Sequence, residues 1–529
     1  MGEAKMKRES ALSKLMPGRS LQTAGGRVQV RWESESAATP MGQLAYFIEF
    51  LTLTGLWQHW QESYPLAYTS PNAPSKAEIL GTWMLSILAG HRRYSHVTAI
   101  RCDGVNPGLL GMRKVMSEDA MRRALKATPE AEGIAWLDRH LNESVGALLD
   151  APWILDIDTT VKPLYGKQEG AVVAYNPKKP GRPSHSYHTY LMAGLRLVVG
   201  AEVRPGNQHS GSHSLPGLLK ILDELAPEKR PKIVRGDCGY GANTIMGPLE
   251  ERGQHYLFKL RMSKNVKRYI EKVFWDTDWS DAGQGWQGKD GKLRLYGWPA
   301  ARRVVVLRRP VKGEALLTSE HDGQGLLGFV EADRKTGKQV TGYEYAVLVT
   351  NLDHDILALG QLYRDRADAE NAFDELKNQW GWGGFTTHDL RRCQLSARAV
   401  ALIYNWWSLF VRLANPEARR EAITSRPWLM SSVGRRTEHG GQTTITLTGL
   451  HAKFAKARAA LTRVSAMLHD WATRAAEQLN PAAVWHLVCA HLKRVLAGIA
   501  PPKTRRSLEQ LEFAEWLTAV FRMKQPWPH

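Results

Sequence analysis

The sequence predicts an α/β fold with a β-rich insertion, flanked by helical regions at both ends. Three observations predict it. Helical periodicity from Gly42 to about Leu149 gives way at Pro152 to short apolar strands mixed with helices, and returns after Leu390. Between about 275 and 350 the segments are β-rich and separated by Gly-, Asp- and Lys-rich turns. At 529 residues the chain is too long for one ordinary domain, and 43% hydrophobic residues give it enough apolar surface for a sizeable core.

The elements follow in order. Residues 1–40 carry scattered charge, Gly and Ser, and read as a basic flexible arm. Residues 41–150 contain AYFIEFLTLTGLWQHW, KAEILGTWMLSILAGHRRY and MSEDAMRRALKA. Ser117 is placed to cap the last of these, with Glu118 and Asp119 in its first turn. Short helices ending in a basic one suit a DNA-binding domain of helix-turn-helix type; a plain helical support domain fits as well. Residues 151–270, the first part of the α/β core, hold the strands of WILDIDTT, HTYLMAGLRLVVGAEV, PKIVRGDCGY and HYLFKLR and the helix LPGLLKILDEL. Residues 271–350 form the β-rich insertion: KLRLYGW, ARRVVVLRR, QGLLGFVEA and YEYAVLVTN. Residues 351–412 return to the core. Residues 413–529 read as a helical C-terminal region with a polar break near 414–446. No internal repeat is visible.

The formal net charge is +19, which calls for a polyanionic partner. No run of 18 apolar residues occurs, so no membrane span is expected, and the basic N-terminus lacks the apolar stretch of a secretory signal. Nucleic acid is therefore the expected polyanion, with no membrane partner. Cys102, Cys238, Cys393 and Cys489 are far apart with no CxxC, which argues against a zinc ribbon or a disulfide framework and fits a cytoplasmic protein.

The segment YRDRADAENAFDELK, Tyr363 to Lys377, reads as one helix. Tyr363, Arg366, Glu370 and Lys377 fall within roughly 60° of each other at about 100° per residue. Leu362, Ala369, Phe373 and Leu376 form an adjoining apolar stripe that would dock the helix. A carboxylate flanked by two cations and a phenol suits phosphate chemistry: the carboxylate can hold a divalent metal, and Arg and Lys grip phosphate oxygens. The alternative is a solvated face of ion pairs.

Two further carboxylate groups join it. In WILDIDTT, Asp156 and Asp158 project from one face of a strand and Leu155 and Ile157 from the other. Carboxylates on an apolar strand are costly to bury unless paired or bound to metal. Asp237 ends an apolar run before a Gly-rich turn, where open α/β sheets place ligand sites, although an Asx turn would also explain it. Asp158, Asp237 and Glu370 together make an oxygen-only set suited to Mg2+ or Mn2+. Two such ions would activate a water or a 3′-hydroxyl and stabilise the leaving oxygen.

The Asp158-Thr159-Thr160 block, Asp237 in GDCGYG and the Tyr-2-Arg-3-Glu-6-Lys signature resemble a DDE transposase of the bacterial IS4 superfamily, most closely the IS1380 family. The run DIDTTVKPLYGKQEGAVVAYNPKKPGRPSHSYH is similar to that family's first catalytic block, and the resemblance covers roughly residues 45–410. It implies an RNase H-like catalytic core interrupted by a β-rich insertion. It implies Asp158, Asp237 and Glu370 as the catalytic triad and metal ligands, with Asp156 behind them. Tyr363, Arg366 and Lys377 would hold DNA phosphates. It implies two Mg2+ ions per site, terminal inverted repeats and target DNA as partners, and a homodimer in the DNA complex. The setting would be a bacterial cytoplasm, nucleoid-associated. Asp374, on the same stripe, is the competing carboxylate. A domesticated, non-catalytic DNA-binding regulator and a two-metal nuclease without strand transfer are the rival readings. A hairpin intermediate is implied for the relatives and left open here.

Other residues are secondary candidates. PKKPGRPSH places Lys178, Lys179 and Arg182 in a basic loop soon after the Asp158 strand, a plausible DNA contact. His185, His188, His209 and His213 match no standard zinc spacing. One of Trp275, Trp279, Trp286 and Trp298 would receive an unstacked base in similar transposases, and the sequence does not choose among them. WGWGG at 380–384 predicts a tight exit from the helix, with tryptophans available for core packing or for DNA.

Overall fold

A computed structural model describes residues 18–32, 36–68, 70, 72–176, 179–310, 343–449, 453–477, 480 and 483–497. Lys178 and the expected QGLLGFVEA strand lie outside these residues. So does the first part of the expected arm. Its described remainder is strand: β1 (Arg19–Thr23) and β2 (Gly26–Val30) form an exposed hairpin, and β3 (Ala37–Thr39) joins a small sheet.

Helices Leu44–Leu53, Leu56–Glu62, Lys76–Leu88, Glu118–Ala127 and Glu130–Gly146 come next, with shorter turns between. Their starts follow from local chemistry. Ser75 and Glu78 form a reciprocal capping box, and Ser117 Oγ accepts from the Ala120 N–H at 3.3 Å.

The core strands are β4 (Ile154–Pro163), β5 (Val172–Val173), β6 (Pro183–Met192), β7 (Leu197–Pro205), β8 (Ile233–Gly236) and β9 (Tyr256–Lys259). The strands β10 (Ser280–Gly283), β11 (Trp286–Leu293), β12 (Arg302–Pro310) and β13 (Tyr343–Thr350) follow. All ten lie in one sheet of order β10-β11-β12-β13-β9-β8-β4-β6-β5, with β7 also paired to β6. The pairs β4/β6 and β6/β7 are antiparallel, whereas β4/β8 and β8/β9 are parallel. Strands β10–β13 pair in series onto the edge of β9, so the segment after β9 continues the core sheet. The protein is thus a mixed α/β molecule with one large sheet and many helices.

The chain then runs through helices Ile356–Arg364, Ala367–Gln379, Leu390–Ala414 and Ala422–Leu429, and the last described elements are helices Phe454–Glu477 and Ala483–Ala497. The polar break is a hairpin, β14 (Gly434–His439) and β15 (Gln442–Leu447), whose first strand pairs with β3.

Period-2 alternation in the strands sorts the two faces of the sheet. On one face Ile154, Ile233, Leu257, Val305 and Leu348 pack with Leu359 and Leu362 of the Ile356–Arg364 helix. The other face, with Leu155, Ile157 and Val234, joins the larger core shared with the helical regions. The nearly wholly buried helix Leu390–Ala414 covers β7. Asn405 pairs with both the N–H and the C=O of Val198 at 2.8 Å, and Gln394 accepts from the Val203 N–H at 2.9 Å. The backbone of this outer strand is thereby partnered and shielded from strand addition.

Candidate active site

The carboxylate strand explains itself through register. β4 and β8 run parallel with Ile154 opposite Ile233 and Asp156 opposite Arg235. Carried two residues on, the same register sets Asp158 opposite Asp237. Neighbouring strands lie about 4.8 Å apart, so the two carboxylates meet just beyond the parallel β4/β8 pairing, where β8 ends and β4 continues. Asp156 is fully buried and grips Arg235 through two bonds of 2.7 and 2.6 Å. It is committed to that pair and supports the site from behind. Asp158 is a fifth exposed. Burial pushes its carboxyl above the usual range; Arg366 opposes the shift and Asp237 adds to it. Asp237 also makes the Asx contact that its turn suggested, with Oδ1 accepting from the Gly239 N–H at 2.8 Å. That bond leaves its second oxygen for other work.

The expected single helix is two. The first ends at Arg364 and the second begins at Ala367. Across the junction the bonding tightens: Arg366 N–H donates to Tyr363 O at 3.1 Å, and Ala369 N–H to Arg366 O at 2.9 Å. The cause is a side chain inserted into the ladder. In a continuous helix the Leu362 carbonyl would receive the Arg366 N–H; here it receives Arg235 Nη1 instead. No Gly or Pro marks the junction, so periodicity alone could not reveal it.

Arg366 sits at the centre of the site, 4% exposed. Its guanidinium lies 3.6 Å from Asp158 and donates to Glu370 at 2.9 Å. Burial works against its charge, but Asp158, Tyr363, Asp156 and Asp237 hold it firmly protonated. Tyr363 is largely buried beside Arg366, Asp237 and Glu370, and burial keeps its phenol protonated as a donor. Lys377 lies close enough to Asp158 to act on its ionisation. The structure therefore gathers Asp158, Asp237, Glu370, Tyr363, Arg366 and Lys377 despite the kink. Asp158, Asp237 and Glu370 do not bring one oxygen each within 4.8 Å of one another, because Glu370 is turned to Arg366 and two-thirds exposed.

The other acids of this helix are spoken for. Asp368 pairs with Arg196, Asp374 accepts from Asn378 at 2.7 Å, and buried Glu375 takes Arg419, Trp380 and the Ala422 N–H. Asp374, the competing carboxylate of the sequence, is exposed and bound to its own helix.

Residues 72–468 match the family model described as transposase DDE domain group 1. The chain belongs to this family. Among solved structures, it is similar to piggyBac transposase in a synaptic complex with hairpin DNA, at 12% identity and a TM-score of 0.34 over 90% of each chain. No curated protein matches.

Beside its carboxylates the transposase has a basic cleft of about 620 Å³. Arg92, Arg93, Arg122, Lys162 and Lys377 line it, together with Tyr94, Tyr165 and Trp382. The first four cations were not singled out from the sequence. One signal was available for Lys162: four residues beyond Asp158 on one strand, it shares its face. Burial lowers the Lys162 pKa, with Arg92 adding to the effect. Lys179 and Arg182, from the expected basic loop, lie over the Tyr165 ring at 5.0 and 4.8 Å, so that loop borders the same cleft.

The remaining candidates separate by burial. Trp380 and Trp382 are both buried in the core, and the edge of Trp382 reaches the cleft. Gly381 and Gly383 take positive φ, and a Cβ at Gly381 would meet the His91 carbonyl at 2.4 Å. Of the four tryptophans near the insertion, Trp275 is exposed, Trp279 and Trp286 carry Arg308 and Arg309 over their rings, and Trp298 is buried. His185 and His188 are buried and bonded to the carbonyls of Glu169 and Gln208. No described helix is long and apolar enough to cross a membrane.

Proposed function

We propose that this chain is a cut-and-paste transposase of the IS4 superfamily, IS1380-like. It would bind the terminal inverted repeats of its element as a homodimer, cleave the DNA and join the 3′-hydroxyl ends to target DNA. The setting is a bacterial cytoplasm, at the nucleoid. The observation that carries this reading is the convergence of Asp158, Asp237 and Glu370 on Arg366, beside a cleft lined by Arg92, Arg93, Arg122, Lys162 and Lys377. The strand order β7-β6-β4-β8-β9, three antiparallel strands then two parallel to the first, supports an RNase H-like core. Strands β10–β13, between Asp237 and Glu370, then correspond to the insertion.

The donor set fits hard divalent cations: oxygen ligands only, with Asp158 forced against a second carboxylate so that it takes up a positive partner readily. Mg2+ ions, or Mn2+, held by Asp158, Asp237 and Glu370 would supply activation of a water or 3′-hydroxyl and charge stabilisation at the phosphorus. The chain's own groups do the rest. Arg366 compensates the carboxylates and is placed to bind a non-bridging phosphate oxygen. Tyr363 donates a hydrogen bond, and Lys377 and the cleft cations hold the backbone of the duplex end.

Glu370→Ala tests the reading. The variant should still bind inverted-repeat DNA and fail to cut it in Mg2+. Cleavage equal to wild type would remove Glu370 from the site, and wild-type cutting without end joining would make the protein a nuclease.

A further inference from the structure

In the helical region that precedes the carboxylate strand, the helices Leu56–Glu62 and Glu130–Gly146 meet across a stacked Trp60–Trp136 pair, 5.5 Å between centroids. At this contact three ligand-type side chains converge. His59 Nδ1 and His140 Nδ1 each lie 3.2 Å from Glu143 Oε2, and all three ligand atoms fall within 4.8 Å of one another. His140 is buried, and His59 is exposed toward solvent.

The protons at this contact can be placed. Ser63 Oγ lies 2.6 Å from the His59 carbonyl and spends its only hydrogen there. It also accepts from Trp136 Nε1 at 3.2 Å. Toward His140 Nε2, at 2.8 Å, it can therefore only accept, so Nε2 carries the imidazole proton. With that proton on Nε2, the ring turns Nδ1 toward a carboxylate oxygen at 3.2 Å, so that both atoms can bind one cation.

We propose that His59, His140 and Glu143 form a zinc site that clasps these two helices together, with a fourth position open to water. The spacing suits it: ligand atoms at about 2.0 Å from a tetrahedral zinc stand about 3.3 Å apart, against the two 3.2 Å edges found here. The Ser63 contact fixes the tautomer and aims Nδ1 at the metal, as outer partners of zinc-bound histidines do. Two imidazoles with one carboxylate select zinc over Mg2+ or Ca2+. The site is independent of the transposase reading.

The test uses the full chain, stripped with EDTA and returned to buffer with excess Mg2+ so that all-oxygen sites are filled. Titration calorimetry with Zn2+ should show one equivalent bound, absent in His59→Ala and in the His59→Ala/Glu143→Gln pair. Zn2+ should raise the melting temperature of the wild type and not of the variants. Co2+ should give the intense visible bands of a four-coordinate ion in the wild type alone. His59 is exposed, so its replacement leaves the fold intact, which circular dichroism checks. Undiminished zinc binding in the double variant, or none in the wild type at micromolar free zinc, overturns the site.

Discussion

Arg235 donates a hydrogen bond to the backbone carbonyl of Leu362, and the helix that carries Tyr363 breaks just beyond it. Asp156 holds Arg235 from the neighbouring strand. A chain of three groups thus runs from the carboxylate strand to the helix that presents Glu370, and sets where that helix turns.

This linkage separates stability from activity. Arg235→Leu leaves Asp156 buried and unpaired, which should cost about 3–5 kcal/mol. Replacing both residues by leucine should restore most of that stability, because no charge is left uncompensated. Cleavage should stay low in the double variant: the Leu362 carbonyl is free to take the Arg366 N–H, and Glu370 rotates away. Urea denaturation and a DNA-cleavage assay on the three proteins check both halves. Full activity in the double variant would make the kink irrelevant to the site.

Arg366 occupies the ground between Asp158 and Glu370 that a divalent cation would share. Its removal leaves carboxylates repelling one another with less compensation. Arg366→Ala should therefore melt lower than wild type in EDTA and gain more from Mg2+ than wild type does. Its cleavage rate should fall by about 10²-fold, the usual cost of losing a charged contact at the reacting group. Equal Mg2+ shifts in the two proteins would show that Arg366 and the metal do not compete.

The folded state raises the Asp158 pKa, so it binds that proton more tightly than the unfolded chain does. Stability from this group is lost as pH climbs from the ordinary carboxyl range through the raised value, and the cost is fully present above that value. Asp158→Asn should melt above the wild type in EDTA at neutral pH, with the gap closing on acidification. The gain is trimmed because Arg366 loses a partner. The same variant should bind no Mg2+ at the site. A lower melting temperature at neutral pH would mean that the Arg366 pairing outweighs burial.

How much of this was legible in the sequence depended on which interactions are local. Asp156 and Asp158 on one face, the Ser117 cap and the strand textures follow from periods of two and caps of three residues, and a sequence displays those. The Tyr363–Lys377 stripe was visible as a pattern, yet its break was not, because Arg235 lies 127 residues from Leu362. The roles within it shifted for a related reason: Arg366 looks like a surface cation in a helical wheel, whereas tertiary packing buries it among carboxylates. Likewise the basic cleft draws Arg93 and Arg122 from the helical region, Lys162 from β4 and Lys377 from the kinked helix. No linear motif joins them.

That cleft makes the last prediction. Its cations line a groove beside Asp158, bordered by the Lys179–Arg182 loop on Tyr165. Cations that neutralise phosphates release counterions, so each contact adds about 1 to the slope of log binding constant against log salt. Arg93 is exposed and Lys162 half-buried, so either can be changed to alanine with little risk to the fold. Each variant should lower the slope by about 1 for inverted-repeat and unrelated duplexes alike, since phosphate contacts carry no sequence. Arg92 is a poorer choice, because its guanidinium also holds the Asn378 carbonyl and its loss would disturb the end of the Glu370 helix. Fluorescence anisotropy over a salt series measures the slopes. Unchanged slopes in both variants would take the cleft out of the DNA path, even if cleavage fell.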